Sequence, residues 1–264
     1  MFEKEKILQH IVDKIETSTL VTDPYPYINI ENFFPNDFYN AILENIPKNK
    51  IYDSWGYRPL SKKYSNRFVY DLLSGENNEK QENLYENLTL QQKEFWSFFK
   101  EVMVKDNTVK NSFLKKYENY IDCPILDYGF MNARISKDIK GYYIGSHRDR
   151  RDKIFSAVMY FATGDEDPKT KEDWGTAVLK PIDLKIEHND DHRSFDEFEI
   201  VDLAQYTPNR MFSWAVSQNS YHGVTPTTVD GERNTLAYFL KIPKNLSNFH
   251  TLYGEDNFKP NGEK

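Results

Sequence analysis

The apolar positions of the chain change period near its middle. In the first half they recur at helical spacing: Ile7, Leu8, Ile11, Val12 and Ile15 fall on one face. Pro24 and Pro26 stop any helix there, and Tyr27–Ile30 has the texture of a short strand. Asn36 is placed to cap a helix running to about Ile46, with Phe38, Ile42 and Leu43 inward and Pro47 past its end. Residues 48–83 are polar and weakly periodic, with Tyr52, Trp55, Tyr57, Tyr64, Phe68 and Tyr70 scattered through them. Thr89-Leu90-Gln91-Gln92 has the form of a capping box, and Phe95, Phe98, Phe99 and Val102 follow on one face. That aromatic stripe reads as core packing rather than as a cofactor pocket.

From about residue 125 short β-type runs alternate with turn residues. They are Met131–Ile135, Phe155–Phe161, Thr176–Leu179, Phe198–Val201, Arg210–Ala215 and Leu236–Ile242. Strands in such a series predict a sandwich or barrel. Two polar insertions, Gly164–Asp173 and Glu187–Glu197, read as solvated loops. The expectation is one domain, residues 1–264. Residues 1–124 form helical and mixed support, 125–243 the β core and 244–264 a C-terminal extension.

Composition narrows the function. The formal charge of −7 disfavours a phosphate backbone as partner, although Lys62, Lys63, Arg148, Arg150 and Arg151 could line a local basic groove. The single cysteine, Cys123, cannot form an intrachain disulfide, which fits a reducing compartment and a cytoplasmic protein. It reads as a small apolar packing residue. Met1-Phe2-Glu3-Lys4 opens no secretory signal, and no apolar run of about 18 residues predicts a membrane span. Oligomeric state is not legible.

Three pieces of the β half carry chemistry together. In His147-Arg148-Asp149 an imidazole and a carboxylate two residues apart, on a strand or its end, project to the same face and can reach one cation. His222 stands far along the chain beside another expected strand. Two histidines and one carboxylate leave coordination positions open, the facial set of non-haem Fe(II) oxygenases. Arg233, eleven residues after His222, opens a strand and can grip a carboxylate with two prongs. His-Arg-Asp also occurs in protein-kinase catalytic loops, but no Gly-rich loop precedes it and no Asp-Phe-Gly follows. His188-Asn189-Asp190-Asp191-His192 lacks the glutamate of a zincin and reads as part of an exposed loop.

Gly141-Tyr142-Tyr143-Ile144-Gly145-Ser146-His147-Arg148-Asp149 resembles the iron-binding segment of the 2-oxoglutarate/Fe(II)-dependent oxygenases, prolyl-hydroxylase-like branch. The resemblance runs through Phe155–Phe161, Trp174–Leu179 and Pro208–Trp214 to His222-Gly223-Val224 and Arg233, covering roughly residues 125–243. Two features depart from the pattern. Trp174-Gly175 stands where the family often has a double glycine. Ile135 falls where prolyl hydroxylases commonly carry a tyrosine.

The resemblance implies a double-stranded β-helix (jelly-roll) core, mainly β, with N-terminal supporting helices. It implies Fe(II) held by His147, Asp149 and His222, with 2-oxoglutarate and O2 as co-substrates converted to succinate and CO2. Arg233 would pair with the far carboxylate of 2-oxoglutarate, and Tyr160 would donate a hydrogen bond to the same group. Asp149 favours hydroxylation, because related halogenases have a small residue there; desaturation and ring closure are further outcomes of the same chemistry. The expected substrate is a small metabolite or saccharide, ahead of a protein side chain. Arg148, Arg150 and Arg151 fit an anionic substrate, with ordinary surface charge the simpler reading. Specificity is expected from the Tyr52–Tyr70 segment and the two polar loops. The alternatives are a catalytically silent metal-binding sandwich that binds or senses, and a cupin-type metal enzyme that does not use 2-oxoglutarate.

Overall fold

The structure, a computed structural model, describes residues 2–47, 53–54, 66–73, 88–183 and 192–259. Helix α1 (Lys4–Thr17) buries Ile7, Leu8, Ile11 and Ile15, the face its spacing predicts. Strand β1 is Tyr27–Ile30 and helix α2 is Asn36–Asn45. The N-cap of α2 is Pro35 rather than Asn36, and no side chain caps it. Strands β2 (Asp53–Ser54) and β3 (Arg67–Leu73) precede helix α3 (Leu90–Lys100). Thr89 and Gln92 close the expected capping box on α3, which runs on as a wider turn over Glu101–Lys105. Helix α4 (Asn107–Lys116) escapes the sequence reading because only Val109, Ser112 and Phe113 of its ten residues are buried.

The second half supplies β4 (Ile121–Asp122), β5 (Phe130–Ile139), β6 (Ile144–His147) and β7 (Lys153–Tyr160). After the short helix α5 (Thr170–Asp173) come β8 (Thr176–Pro181), β9 (Phe198–Ala204) and β10 (Met211–Ala215). β11 (His222–Val224), β12 (Glu232–Lys241) and β13 (Thr251–Leu252) complete the chain. α5 and its partners amend the reading of Gly164–Asp173 as a wholly solvated loop. Thr170 is buried, and Asp173 accepts from the backbone N–H groups of Thr228 and Val229.

Two antiparallel sheets carry the fold. The larger runs β1-β10-β7-β12-β5-β3-β2 and the smaller β6-β11-β8-β9. Alternation along the larger sheet decides what each face does. Ile28, Ala133, Ile135, Phe155, Ala157, Leu236, Tyr238 and Leu240 join Ile11, Phe38, Phe99 and Phe113 of the helices in one apolar core. The opposite face meets the smaller sheet. Tyr27, Tyr160, Val178, Phe212 and Trp214 fill one end of that interior. The other end stays open as a cavity. Cys123 is buried and free, as expected. Among the described residues no helix is long and apolar enough to cross a membrane.

Candidate metal and co-substrate site

His147 ends β6 and His222 begins β11, and the two residues are register partners across an antiparallel pair. Their ring centroids stand 4.4 Å apart. Glycines permit this close approach: a Cβ at Gly223 would lie 2.8 Å from the Ile144 carbonyl oxygen, and one at Gly145 3.0 Å from that of Arg193. His147 Nδ1 lies 2.9 Å from the Gly145 carbonyl and His222 Nδ1 2.9 Å from the Ser220 carbonyl. A carbonyl only accepts, so each Nδ1 carries the proton and each Nε2 keeps a lone pair for a metal. Burial, then the neighbouring His222, lowers the His147 imidazole to about 3. Burial also lowers His222. Both rings are therefore neutral and ready to ligate.

Asp149 lies beyond the end of β6, and β7 holds its carboxylate. Ser156 donates to Oδ2 at 2.6 Å, and Lys153 forms an ion pair with Oδ1. Burial alone would raise this acid, but Lys153, His222 and His147 outweigh it and keep it below the usual carboxylate range. The ligating atoms of His147, Asp149 and His222 all lie within 4.8 Å of one another. Two neutral imidazoles and one carboxylate suit a divalent first-row metal.

Arg233 marks the other end of the site. It is buried on β12, where its Nε donates to the Trp174 carbonyl at 2.7 Å. Nη1 donates to Asp138 Oδ2 at 2.8 Å and Nη2 reaches Thr176 Oγ1 at 3.4 Å. Two of its five N–H donors are left for a ligand. Asp138 is shared, with Arg67 Nε 3.1 Å from its Oδ1. Burial raises the Asp138 carboxyl above its ordinary value, against the pull of Arg67 and Arg233.

The Tyr160 hydroxyl is directed elsewhere than expected. It lies 2.7 Å from Thr176 Oγ1 and 3.1 Å from the Ala204 carbonyl, while its ring faces the Arg233 guanidinium at 5.4 Å. Ile135 belongs to the helix-facing core, and its neighbours Arg134 and Ser136 line the cavity instead. Trp174, the departure from a double glycine, is buried beside Tyr206 and lends its carbonyl to Arg233.

The cavity measures about 460 Å³ and joins the triad to Arg233, a size ordinary for small-molecule sites. Arg148 lines it, as do Arg134, Ser136, Lys153 and Ser156. Arg150 pairs with Asp152, and Arg151 with Glu255. His192, read as part of an exposed loop, instead lines the cavity and stacks on His147 at 4.5 Å. His188, Tyr52 and residues 55–65 of the aromatic segment fall outside the described residues, but Arg67 of that segment reaches the cavity. Alternation was the signal for the residues missed on β5. Arg134, Ser136 and Asp138 interleave with the apolar Ala133 and Ile135.

No protein-family model matches the chain. No curated protein matches it in sequence. Among solved structures the fold is similar to that of a prolyl hydroxylase from Trichoplax adhaerens, in complex with a hypoxia inducible factor oxygen degradation domain peptide fragment. The identity is 11%, 93% of each chain is covered and the TM-score is 0.51. It is also similar to HygX from Streptomyces hygroscopicus with nickel, 2-oxoglutarate and hygromycin B bound, at 9% identity over 83% of each chain and a TM-score of 0.50. At these identities the likeness establishes the fold.

Proposed function

We propose that this chain, which shares its fold with a prolyl hydroxylase, is a 2-oxoglutarate/Fe(II)-dependent oxygenase that hydroxylates a C–H bond of a small molecule or saccharide. The observation that carries the reading is the convergence of His147, Asp149, His222 and Arg233 on one cavity from segments up to 86 residues apart. The strand orders β10-β7-β12-β5 and β6-β11-β8-β9 support a double-stranded β-helix. The single cysteine supports a reducing compartment such as the cytoplasm.

The three ligands would hold Fe(II), with His147 and His222 presenting Nε2 and Asp149 kept ionised and oriented by Lys153 and Ser156. Bound there with 2-oxoglutarate and O2, iron supplies the oxidising chemistry that yields succinate, CO2 and a hydroxylated product. Arg233 would take the far carboxylate of 2-oxoglutarate with its two remaining N–H groups, its plane fixed by the Trp174 carbonyl and Asp138. Tyr160 supports Arg233 through its ring face and through Thr176.

The Asp138–Arg233 pair is also what favours a second reading, a metal-binding sandwich without 2-oxoglutarate turnover, since the guanidinium already has a carboxylate partner. One titration separates the two. Under anaerobic conditions the protein with Fe(II) and 2-oxoglutarate should show the weak visible charge-transfer band of a chelated iron. Arg233→Met should lose 2-oxoglutarate affinity by more than about 10-fold while keeping Fe(II). Iron binding with no band at saturating 2-oxoglutarate would hand the site to the second reading.

A further inference from the structure

Asp149 is the one triad residue that no strand carries. His147 and His222 are paired across β6 and β11. Asp149 lies two residues past the end of β6 and before the start of β7. Lys153 and Ser156 hold its carboxylate from the cavity side. Its backbone leads into a turn in which Lys153 N donates to the Arg150 carbonyl at 2.9 Å. That turn has to be fixed, because the triad acts as a set only while its ligating atoms stay within 4.8 Å of one another.

A segment from beyond the β core meets the turn from outside. Residues 250–255 follow β12 and the helical turn Lys244–Phe249. Arg151, two residues after Asp149, is bound to them in both directions. Its carbonyl accepts from His250 Nδ1 at 2.9 Å. Its Nη1 donates to the His250 carbonyl and to Glu255 Oε2, both at 2.9 Å. Nη2 donates to the other oxygen of Glu255, so the pair is two-pronged, the strong form of an arginine–carboxylate contact. Leu252 N donates to the same carboxylate at 3.0 Å and orients it.

The segment also holds the approach to His222. Gln218 N donates to the Tyr253 carbonyl at 2.9 Å, and Ser217 forms a β-bridge with Tyr253. Ser217 N in turn donates to Ser220 Oγ at 3.0 Å, and the Ser220 carbonyl accepts from His222 Nδ1. The segment has a firm base of its own. β13 pairs with β4, His250 and Leu252 are buried, and the Tyr253 ring packs edge-on against Tyr120 at 4.9 Å.

We infer that residues 250–255 are a clasp on the metal site, with Arg151 and Glu255 as positioning residues that hold the Asp149 turn in place beside the approach to His222. The inference takes the triad as the metal site proposed above and needs no co-substrate. The Arg151 and Glu255 side chains are 34% and 21% exposed, and an ion pair this open to water adds little to folding. Its loss should therefore register in the site more than in the fold. The coupling is reciprocal: a closed clasp raises metal affinity, and a bound metal keeps the clasp closed.

The test uses the full chain with Co(II), whose visible bands report the number and arrangement of its ligands, and with Fe(II) in the absence of oxygen. Arg151→Gln and Glu255→Gln should each weaken both metals about 10-fold, the low end for a group acting behind a ligand, and should change the Co(II) bands. Arg151→Lys keeps the charge without the fork and should recover part of the loss. Urea midpoints of the metal-free variants should fall little. The wild-type chain supplies a reading that needs no substitution. Metal loading should slow hydrogen exchange at the Gln218 and Leu252 N–H groups about 10-fold more than at Gln92 N–H in the first turn of α3. Wild-type affinities and Co(II) bands in both glutamine variants would overturn the inference and reduce the contacts to a brace of the fold. Exchange at Gln218 and Leu252 that metal leaves unchanged would overturn it as well. A wild-type chain that binds neither metal would remove the triad reading and the clasp with it. Metal binding that responds to Arg151→Gln, with no charge-transfer band when 2-oxoglutarate is added, would remove the oxygenase reading alone and leave the clasp standing.

Discussion

Along β12, Leu236, Tyr238 and Leu240 enter the core beneath the helices, while Arg233, Thr235 and Ala237 between them line the cavity. β5 divides the same way, with Ala133 and Ile135 on one side and Arg134 and Ser136 on the other. One face of the larger sheet is apolar and closed, and its contacts are dispersion and buried area. The other is charged and open, and its contacts are ion pairs and orphaned donors. The comparison teaches that stability and chemistry are assigned to alternate residues of the same strands. A one-residue slip of register would exchange them. Substitutions on the two faces should therefore fail in different assays.

The largest effect should come from the cavity face. His222→Ala removes a proposed metal ligand, and metal affinity should fall by more than about 100-fold, the upper figure for losing merely a hydrogen bond behind a ligand. The cost to folding should be small, about 1 kcal/mol, because the ring makes one backbone hydrogen bond. Metal titration alongside urea unfolding checks both halves. A collapse of stability equal to that of a core truncation would erase the division between the faces.

Phe113→Ala is the converse on the helix face. Its ring stacks on Phe155 at 4.8 Å and is buried. Truncation should cost about 3–5 kcal/mol, read in urea, while the molecules that remain folded bind metal as before. Loss of metal affinity in the folded fraction would mean that the core sets the spacing of the triad.

The pH dependence sharpens the contrast, since among the described residues the apolar core beneath the helices holds no histidine. In the metal-free protein the folded-state pKa of His147 is lowered to about 3 from an ordinary 6.5, mainly by burial, and that of His222 is lowered too. Their neutral rings favour the folded state fully above pH 6.5. As the pH falls below that value the unfolded chain takes up protons that the folded state refuses. Stability should decline between pH 6.5 and about 3. Urea midpoints at stepped pH should show the decline, and His147→Ala should flatten it. A slope unchanged in that variant would place the titration elsewhere.

What was legible in the sequence divides by range. Helical spacing, the capping box at Thr89 and the strand series are local patterns, and each appears where it was expected. His147, Asp149, His222 and Arg233 stood out through their order and spacing along the chain, and they line one cavity. Partners fixed only by sheet pairing were not. Asp138 meets Arg233 across the β5–β12 register, and Arg67 joins them from β3. His192 looked like one polar residue in an acidic loop, and only the return of that loop over β6 stacks it on His147. α4 was missed because its amphipathic stripe is two apolar residues wide.

The smallest effect tests the helical layer at its edge. The Thr89 hydroxyl accepts from Gln92 N at 3.2 Å, and the Gln92 side chain accepts in return from Thr89 N at 3.1 Å. Thr89→Ala leaves the Gln92 N–H in the first turn of α3 to be satisfied by water, and should cost about 1 kcal/mol in urea. α3 carries Trp96 and Phe99 into the core beneath the sheet, so fraying of its first turn reaches the helix face without touching the cavity. Metal and 2-oxoglutarate binding should be those of the wild type. A cap substitution that weakened either ligand would show that helix packing is transmitted through the sheet, and the two faces would have to be treated as one cooperative unit.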